Sequence, residues 1–432
     1  MPSATASAPA TQLCQNCGAE LAPGVDRCPA CGRIATSRST RIVLAVTLVL
    51  IIAGFAFTQY FVNLHRQTES DLAVRWFTRG EQAMQAQLPT AAAEDYHNAL
   101  SYDPDNRQYR LHLAQALLAA KRWNEARAHL TSLWEEEPAS GEVNLTLARL
   151  NAQRGDYPDA VRYYGDAING VWKEEPRKQR IATRFELARY LMQQRKVAQA
   201  QAELMALQAD GPPDPADQLL LANLLLQLNE PARALDAYNA VLAHDRTSAL
   251  AWLGKGQASL AIGDYHAAEQ AFSNAVDRDP RLDDARQQLQ LVREVLRLNP
   301  ATRGLSLAER SARVAAAFQV SLQRLTSCAN QQGYSLTDHE AAAVPSPTRG
   351  GVALPTRPAS PTTGGLQGLY TIGLQKKAAA TEQALRKNPD ALEPTTQFVF
   401  DVERATAPVC PAMDLADSAL LTLAQHESAT VK

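Results

Sequence analysis

The sequence predicts an all-α protein built from stacked helical hairpins, and three observations predict it. Six alanines, Ala92, Ala126, Ala160, Ala200, Ala234 and Ala268, recur every 34 residues with one six-residue slip after the third. Each sits in a fixed frame. A small residue lies twelve before it: Gly80, Ala114, Ala148, Ala188, Ala222 and Gly256. A bulky apolar residue lies four after it: Tyr96, Leu130, Tyr164, Leu204, Tyr238 and Phe272. Another apolar position follows three later, at Ala99, Leu133, Ala167, Leu207, Val241 and Ala275. Small residues let two helices approach closely, and large ones fill the gap between neighbours. The composition agrees: the chain is rich in Ala, Leu, Gln and Arg, all good helix formers, and only 6% aromatic.

Length and charge set the outer bounds. A chain of 432 residues holds two or three folded units. Its 43 basic and 45 acidic side chains nearly balance, with no long run of either sign, which argues against a dedicated nucleic-acid binder. The six cysteines divide into Cys14, Cys17, Cys28 and Cys31 near the N-terminus and Cys328 and Cys410 near the other end.

Residues 1–12 read as a disordered N-terminus. The segment 13–33 then carries two CxxCG knuckles, Cys14-Gln15-Asn16-Cys17-Gly18 and Cys28-Pro29-Ala30-Cys31-Gly32. Each CxxC sets two thiolates on one side of a tight turn, and the glycine after it is free to take positive φ. Two such turns supply the four thiolates of a structural Zn2+ site with no open position for catalysis. The alternative is a redox dithiol, which usually occurs singly beside a βαβ pattern absent here. The segment resembles the short zinc ribbons found at the N-termini of many bacterial membrane proteins. Roughly thirty residues build no core without the metal, so zinc is expected to fold the module.

A basic juxtamembrane segment, 34–41, contains Arg38 and Arg41, and the run 42–62 after it reads as a transmembrane helix. Ile42–Phe57 has no charge and only Thr47 as a polar side chain. Twenty-one helical residues rise about 30 Å, the thickness of a hydrocarbon core. Tyr60 and Phe61 stand where aromatic rings favour the interface. A buried core helix and a cleaved signal peptide are the competing readings; the first is seldom so uniformly apolar, and 41 residues with a metal motif are too many for an n-region. The arginine bias across the run is small, because Arg66, Arg75 and Arg79 follow it closely. Four thiolates poised for metal favour a reducing compartment, so the N-terminus is expected to be cytoplasmic and the repeats extracytoplasmic.

The repeat region covers 73–282 as six units: 73–106, 107–140, 141–174, 181–214, 215–248 and 249–282. Trp76, Gly80, Ala92, Tyr96, Ala99 and Pro104 in the first unit, and Trp252, Gly256, Ala268, Phe272, Ala275 and Pro280 in the last, resemble the tetratricopeptide repeat (TPR). The fold class that follows is an all-α TPR solenoid after a small zinc ribbon and one transmembrane helix. The resemblance implies that the first helix of each unit lines a channel for extended peptides or partner helices. Three before each small residue stand Phe77, Leu111, Leu145, Phe185, Leu219 and Leu253; one after it stand Glu81, Gln115, Arg149, Arg189, Asn223 and Gln257. An apolar ladder beside polar groups suits a protein or peptide with an accessible backbone, and Arg149 with Arg189 adds a contact for a carboxylate or phosphate. The other reading is that the ladder packs against the next unit and the polar column is solvated. The lysine-and-asparagine carboxylate clamp of chaperone-binding TPR proteins is absent. The insertion Glu175–Arg180 reads as a solvated connector.

Leu282, Ala285, Leu289, Val292 and Leu296 have helical spacing, so 283–298 is expected to close the stack with a polar outer face. The region 301–432 reads as helical, interrupted by a flexible Pro/Gly-rich loop at 344–368. Within it, Ser306 with Glu309 starts a helix to about Ala329 through a capping box. Tyr370–Lys387 is amphipathic, Gln397–Val402 reads as a short strand, and Asp414–Ala424 as a last helix. In an oxidising compartment Cys328 and Cys410 are a candidate disulfide.

The eight histidines are scattered without HExxH or a nearby nucleophile motif, and nothing points to catalysis. The expected function is a non-catalytic scaffold or adaptor of a bacterial-type inner membrane, single-pass, binding protein partners in the repeat groove. The alternatives are a transmembrane regulator whose zinc ribbon contacts nucleic acid or a regulatory protein, and an entirely cytoplasmic assembly factor.

Overall fold

The structure, a computed structural model, describes residues 12–14, 16–22, 25–34, 38–333, 363–412 and 414–430. The expected N-terminal tail up to residue 11 and the Pro/Gly-rich loop up to residue 362 lie outside them. The chain divides into two compact units, Met1–Val171 and Trp172–Lys432.

The first unit begins with two short strands, β1 (Gln12–Leu13) and β2 (Glu20–Leu21), paired antiparallel. Six helices follow: α1 (Arg38–Gln85), α2 (Pro89–Tyr102), α3 (Arg107–Ala119), α4 (Trp123–Glu136), α5 (Gly141–Arg154) and α6 (Tyr157–Asn169). The second unit contains α7 (Pro176–Gln193), α8 (Val197–Asp210), α9 (Pro215–Gln227), α10 (Pro231–His244), α11 (Ala249–Ala261) and α12 (Tyr265–Arg278). It ends with α13 (Asp283–Leu298), α14 (Leu307–Gln331), α15 (Thr363–Lys376), α16 (Glu382–Lys387), α17 (Leu392–Thr406) and α18 (Leu415–Thr430). From α1 to α12 the helices form antiparallel hairpins, each a first helix and a second, giving a TPR-type helical solenoid fold.

All four frame positions in every hairpin are buried, and all six recurring alanines are fully so. The small residue faces the large one of the same hairpin. A Cβ on Gly80 would lie 2.7 Å from the Tyr96 ring, and one on Gly256 2.5 Å from Phe272. The turns repeat as strictly as the cores. Leu88, Arg122, Asp156, Lys196, Glu230 and Asp264 each donate a backbone N–H to the carbonyl five residues earlier, over 2.8–3.0 Å. Each closes a Schellman-type end, which requires a left-handed residue just before it. Those residues are Gln87, Lys121, Gly155, Arg195, Asn229 and Gly263, with φ between 57° and 80°.

Three features differ from the sequence reading. The span and the first helix of the repeats are one unbroken helix, α1, of 48 residues. Residues 63–72 between them hold no Gly or Pro, and His65 and Glu69 form an i,i+4 pair at 3.1 Å, so nothing stops the helix. Ile42–Val62 is exposed, and none of the apolar window is buried within the chain. By length and composition α1 is long and apolar enough to cross a membrane.

Second, α13 has the expected polar face, with Arg286, Gln287, Gln290, Arg293 and Arg297 exposed, but it does not close the stack. Ala285, Leu289 and Val292 pack on Phe272 and Leu253, but Val295 and Leu298 join a further core with Phe318, Leu325, Phe398, Val402 and Leu420. The two apolar rows adjoin as one wide face, so helical spacing reveals the face but not that its far edge meets a second core. Third, Gln397–Val402 is helical, lying inside α17. The alternation of Phe398, Phe400 and Val402 mimics a strand, yet Leu392, Thr395, Val399, Val402 and Thr406 form the buried helical stripe. Helix α15 likewise takes in Gly364, Gly365 and Gly368, which the sequence reading assigns to the loop. The capping box of α14 is present: Ser306 and Glu309 bond each other's backbone N–H groups.

Candidate functional site

The N-terminal module is built from two near-identical knuckles. Cys14 N–H donates to Ala19 O and Gly18 N–H to Cys14 O, both at 2.8 Å; Cys28 N–H donates to Arg33 O and Gly32 N–H to Cys28 O, again at 2.8 Å. Gly18 and Gly32 close the turns at φ 75° and 68°, where a side chain would be strained. The knuckles bring Cys14, Cys17, Cys28 and Cys31 together with every sulfur within 4.8 Å of the others. Cys14 and Cys31 are 3.6 Å apart and Cys17 and Cys28 3.5 Å. A tetrahedral ion with bonds of about 2.3 Å to sulfur separates its ligands by about 3.8 Å, so the cluster fits a metal ion. Backbone N–H groups prepare the thiolates. Those of Asn16 and Cys17 hold Cys14 down to about 6, and that of Arg33 holds Cys31 below its ordinary value. The Ala19 N–H acts the same way on Cys17, but the neighbouring thiols Cys28, Cys14 and Cys31 prevail and raise it to about 12. Four cysteines without a metal cannot all be thiolates.

The expected groove residues separate into two sets. Leu111, Leu145, Phe185 and Leu253 are buried, and Phe77 and Leu219 half-buried. Leu111 packs with Val143 and Leu147 of the next hairpin, and Leu219 with Ala251 and Trp252. Where those contacts are seen, the apolar ladder joins successive first helices and presents little to a ligand. The polar column does reach solvent. Arg149, Arg189 and Asn223 are exposed, and Glu81, Gln115 and Gln257 half-buried. Asn223 accepts a 2.6 Å bond from the Tyr238 hydroxyl, whose burial pushes Tyr238 up to about 12. Arg149 and Arg189 belong to different compact units. One helical turn beyond the column stands a second exposed row, Gln85, Ala119, Gln153, Gln193, Gln227 and Ala261, which the sequence reading missed although the same 34-residue register carries it. The connector's basic residues are used locally: Arg177 donates to the carbonyls of Asp210 and Gly211, and Lys178 pairs with Glu175 at 3.1 Å.

Cys328 and Cys410 are joined in a disulfide, with Cα atoms 5.7 Å apart. Beside it lies a group that the sequence reading also missed. Arg324, fully buried on α14, contacts Glu403 Oε2 of α17 at 3.1 Å, pairs with Asp417 of α18, and donates to Thr406 Oγ1 and the Cys410 carbonyl. Burial, opposed by Arg324 and reinforced by Asp417, pushes Glu403 up to about 8. The signal was present, since Arg324 and Glu403 each fall on the apolar stripe of an amphipathic helix.

Models of the tetratricopeptide repeat match residues 83–150, 117–169 and 219–283. No match was found among curated proteins. Among solved structures, YrrB, described as a TPR protein with an unusual peptide-binding site, is 16% identical over 45% of this chain and 96% of its own, with a TM-score of 0.35. PilW, a type IV pilus biogenesis factor, is 18% identical over 50% of this chain and 98% of its own, TM-score 0.38. The C-terminal part of a TPR repeat-containing protein from Cytophaga hutchinsonii is 11% identical over 55% of this chain and 92% of its own, TM-score 0.42. None of these carries over to this chain what those proteins bind or build. The family models and the repeating frame agree that residues 83–169 and 219–283 are tetratricopeptide repeats.

Proposed function

We propose that this chain is a membrane-anchored, non-catalytic scaffold that binds protein partners along the first helices of its repeats, on the extracytoplasmic side. Tetratricopeptide repeats mediate protein–protein interaction as a class. Here Gln115 and Gln153 in the first unit, and Gln193, Asn223, Gln227 and Gln257 in the second, place amide groups at solvent-reaching positions. Primary amides both donate and accept, so they suit the backbone of an extended segment without fixing its sequence. In this reading α1 is the anchor, and holding the repeats at a bilayer raises their effective concentration towards membrane-bound partners.

The distribution of sulfur chemistry about α1 carries the topology. Four clustered thiols precede it and a buried disulfide follows it. Thiols persist in reducing compartments and disulfides in oxidising ones, so the chain fits a cytoplasmic N-terminus and exported repeats. Zn2+ held by Cys14, Cys17, Cys28 and Cys31 would supply folding energy to the module, and the closed donor set leaves no position for a reacting water.

Digestion of intact spheroplasts with an external protease tests this. The repeats should be cut while an N-terminal fragment carrying the ribbon survives, and the C-terminal helices should shift on a gel when reduced. Repeats protected until the membrane is opened would sink the topology and return the partners to the cytoplasm.

A further inference from the structure

Three successive first helices of the first unit bring together an arrangement that the backbone-binding amides do not explain. Phe77 and Glu81 come from α1, His112 from α3 and Glu142 from α5, and all four are half-buried. Phe77 stacks on Tyr109 with centroids 4.8 Å apart and meets His112 edge-on at 4.9 Å. Tyr96 closes the cluster from behind, 5.4 Å from Phe77 and 5.6 Å from His112. Glu81 stands one helical turn beyond Phe77 on α1 and Glu142 opens α5; both act electrostatically on His112, and Glu81 also on Tyr96. Burial nonetheless keeps His112 below its ordinary value, so the imidazole does not neutralise them. Nor does any other cation among the described residues. Among the described residues the ion pairs of the first unit use Glu69, Asp95, Glu125, Glu136, Glu137, Asp159 and Asp166, and neither Glu81 nor Glu142.

Two half-buried carboxylates beside an aromatic wall, with no internal partner, lack a counter-charge. Rings at their side displace water and lower the local dielectric, which strengthens attraction for a cation that enters. A flat amide or apolar side chain would leave both charges uncompensated, and an acidic one would be repelled. We propose that Phe77, Glu81, His112 and Glu142 form a subsite for a single cationic side chain, lysine or arginine, of the segment bound along the first helices. The proposal rests on the protein-binding reading above and gives it a position-specific charge preference at the end of the repeats nearest α1's apolar run.

The test uses the full chain in detergent micelles and three fluorescein-labelled heptapeptides, Ser-Ala-Leu-X-Leu-Ala-Ser with X lysine, glutamine or glutamate, read by fluorescence anisotropy. The lysine peptide should bind about tenfold tighter than the glutamine peptide, as a charge-assisted contact does, and the ratio should shrink in high salt. Combining Glu81→Gln with Glu142→Gln should bring the ratio near one, while Glu81→Lys with Glu142→Lys should turn the preference to glutamate. The wild-type ratio and its salt dependence need no variant, so a misfolded substitution does not spare the idea. Equal binding of all three peptides, or a lysine preference that survives the double glutamine change, overturns the subsite and leaves the scaffold reading intact. Binding of none of them overturns the subsite together with the peptide-binding reading.

Discussion

Glu403 makes the stability of the C-terminal helices depend on pH in an unusual direction. It is fully buried on α17, and its one cationic neighbour among the described residues, Arg324, is shared with Asp417. One positive charge faces two carboxyl groups, so ionising both leaves an uncompensated negative charge in the core. Burial therefore pushes Glu403 from 4.5 up to about 8, Arg324 pulls it back, and Asp417 adds to the rise. In the unfolded chain the same group loses its proton near the lower value. Between the two values the folded state keeps a proton that the unfolded state has released. Stability is thus fully present below about 4.5 and falls as pH rises, by up to about 1.4 kcal/mol per unit, until Glu403 ionises near 8. Over the whole window the loss is on the order of 5 kcal/mol. Glu403→Gln keeps the shape and removes the titration, so it should flatten this dependence and be the more stable form at pH 8. Hydrogen exchange of the α17 amides, corrected for intrinsic rates, measures it at pH 5, 6, 7 and 8. If α17 instead grows more stable from pH 5 to 8, Arg324 is holding Glu403 as a carboxylate and the reasoning is wrong. An unchanged slope in the glutamine variant would refute it equally.

Two further outcomes follow from the four-cysteine module and from α1. Adding a metal chelator, or changing Cys17→Ser, should strip exchange protection from the two cysteine knuckles while the helical circular dichroism of the chain hardly moves, because the module's two strands are two residues each; loss of the helical signal would show that the repeats depend on the module. Spin labels at Asn63 and Glu81, eighteen residues apart on α1, should give one narrow distance near 27 Å, and Thr68→Pro should broaden it; a broad wild-type distribution would mean that α1 is hinged.

The repeat cores were legible because burial selects side-chain size, and size is written in the sequence: Ala92 and its five equivalents are invariant in role and in identity. The turns were not. Three of the six left-handed positions hold Gln87, Lys121 and Arg195, residues that a reader expects in ordinary right-handed backbone. Hydrogen bonds of the turn, shared by all six hairpins, hold them there against a local cost of about 1 kcal/mol each. Gly155 and Gly263 advertise the conformation, and Asn229 does so more weakly. The four metal-type cysteines were legible for the opposite reason, since the CxxCG spacing is itself the geometry. The apolar ladder was ambiguous in the sequence, because Leu111 and Leu145 satisfy equally a groove wall and a joint between hairpins, and only packing distinguishes the two. The Arg324 group escaped because its members, Arg324, Glu403 and Asp417, are spread over 93 residues and meet only when three helices close.

The unbroken α1 joins these observations into one mechanical argument. Phe77 lies fifteen residues beyond Val62, the end of the apolar run, which places it about 22 Å along the helix from that point. Phe77 and Glu81 stand on the very helix that carries the apolar run, with neither turn nor glycine between Val62 and Phe77. A flexible linker would let the first repeat face any direction; a helix fixes the direction by its phase, about 100° for each residue of the segment 63–72. If the apolar run lies in a bilayer, the length of this exposed segment decides which way the ring wall and its two carboxylates turn. Its residues then serve orientation, although Asn63–Asp71 contribute almost nothing to any core. Adding one residue there should be more disruptive to partner binding at the membrane than adding seven, which restores the phase to within about 20°.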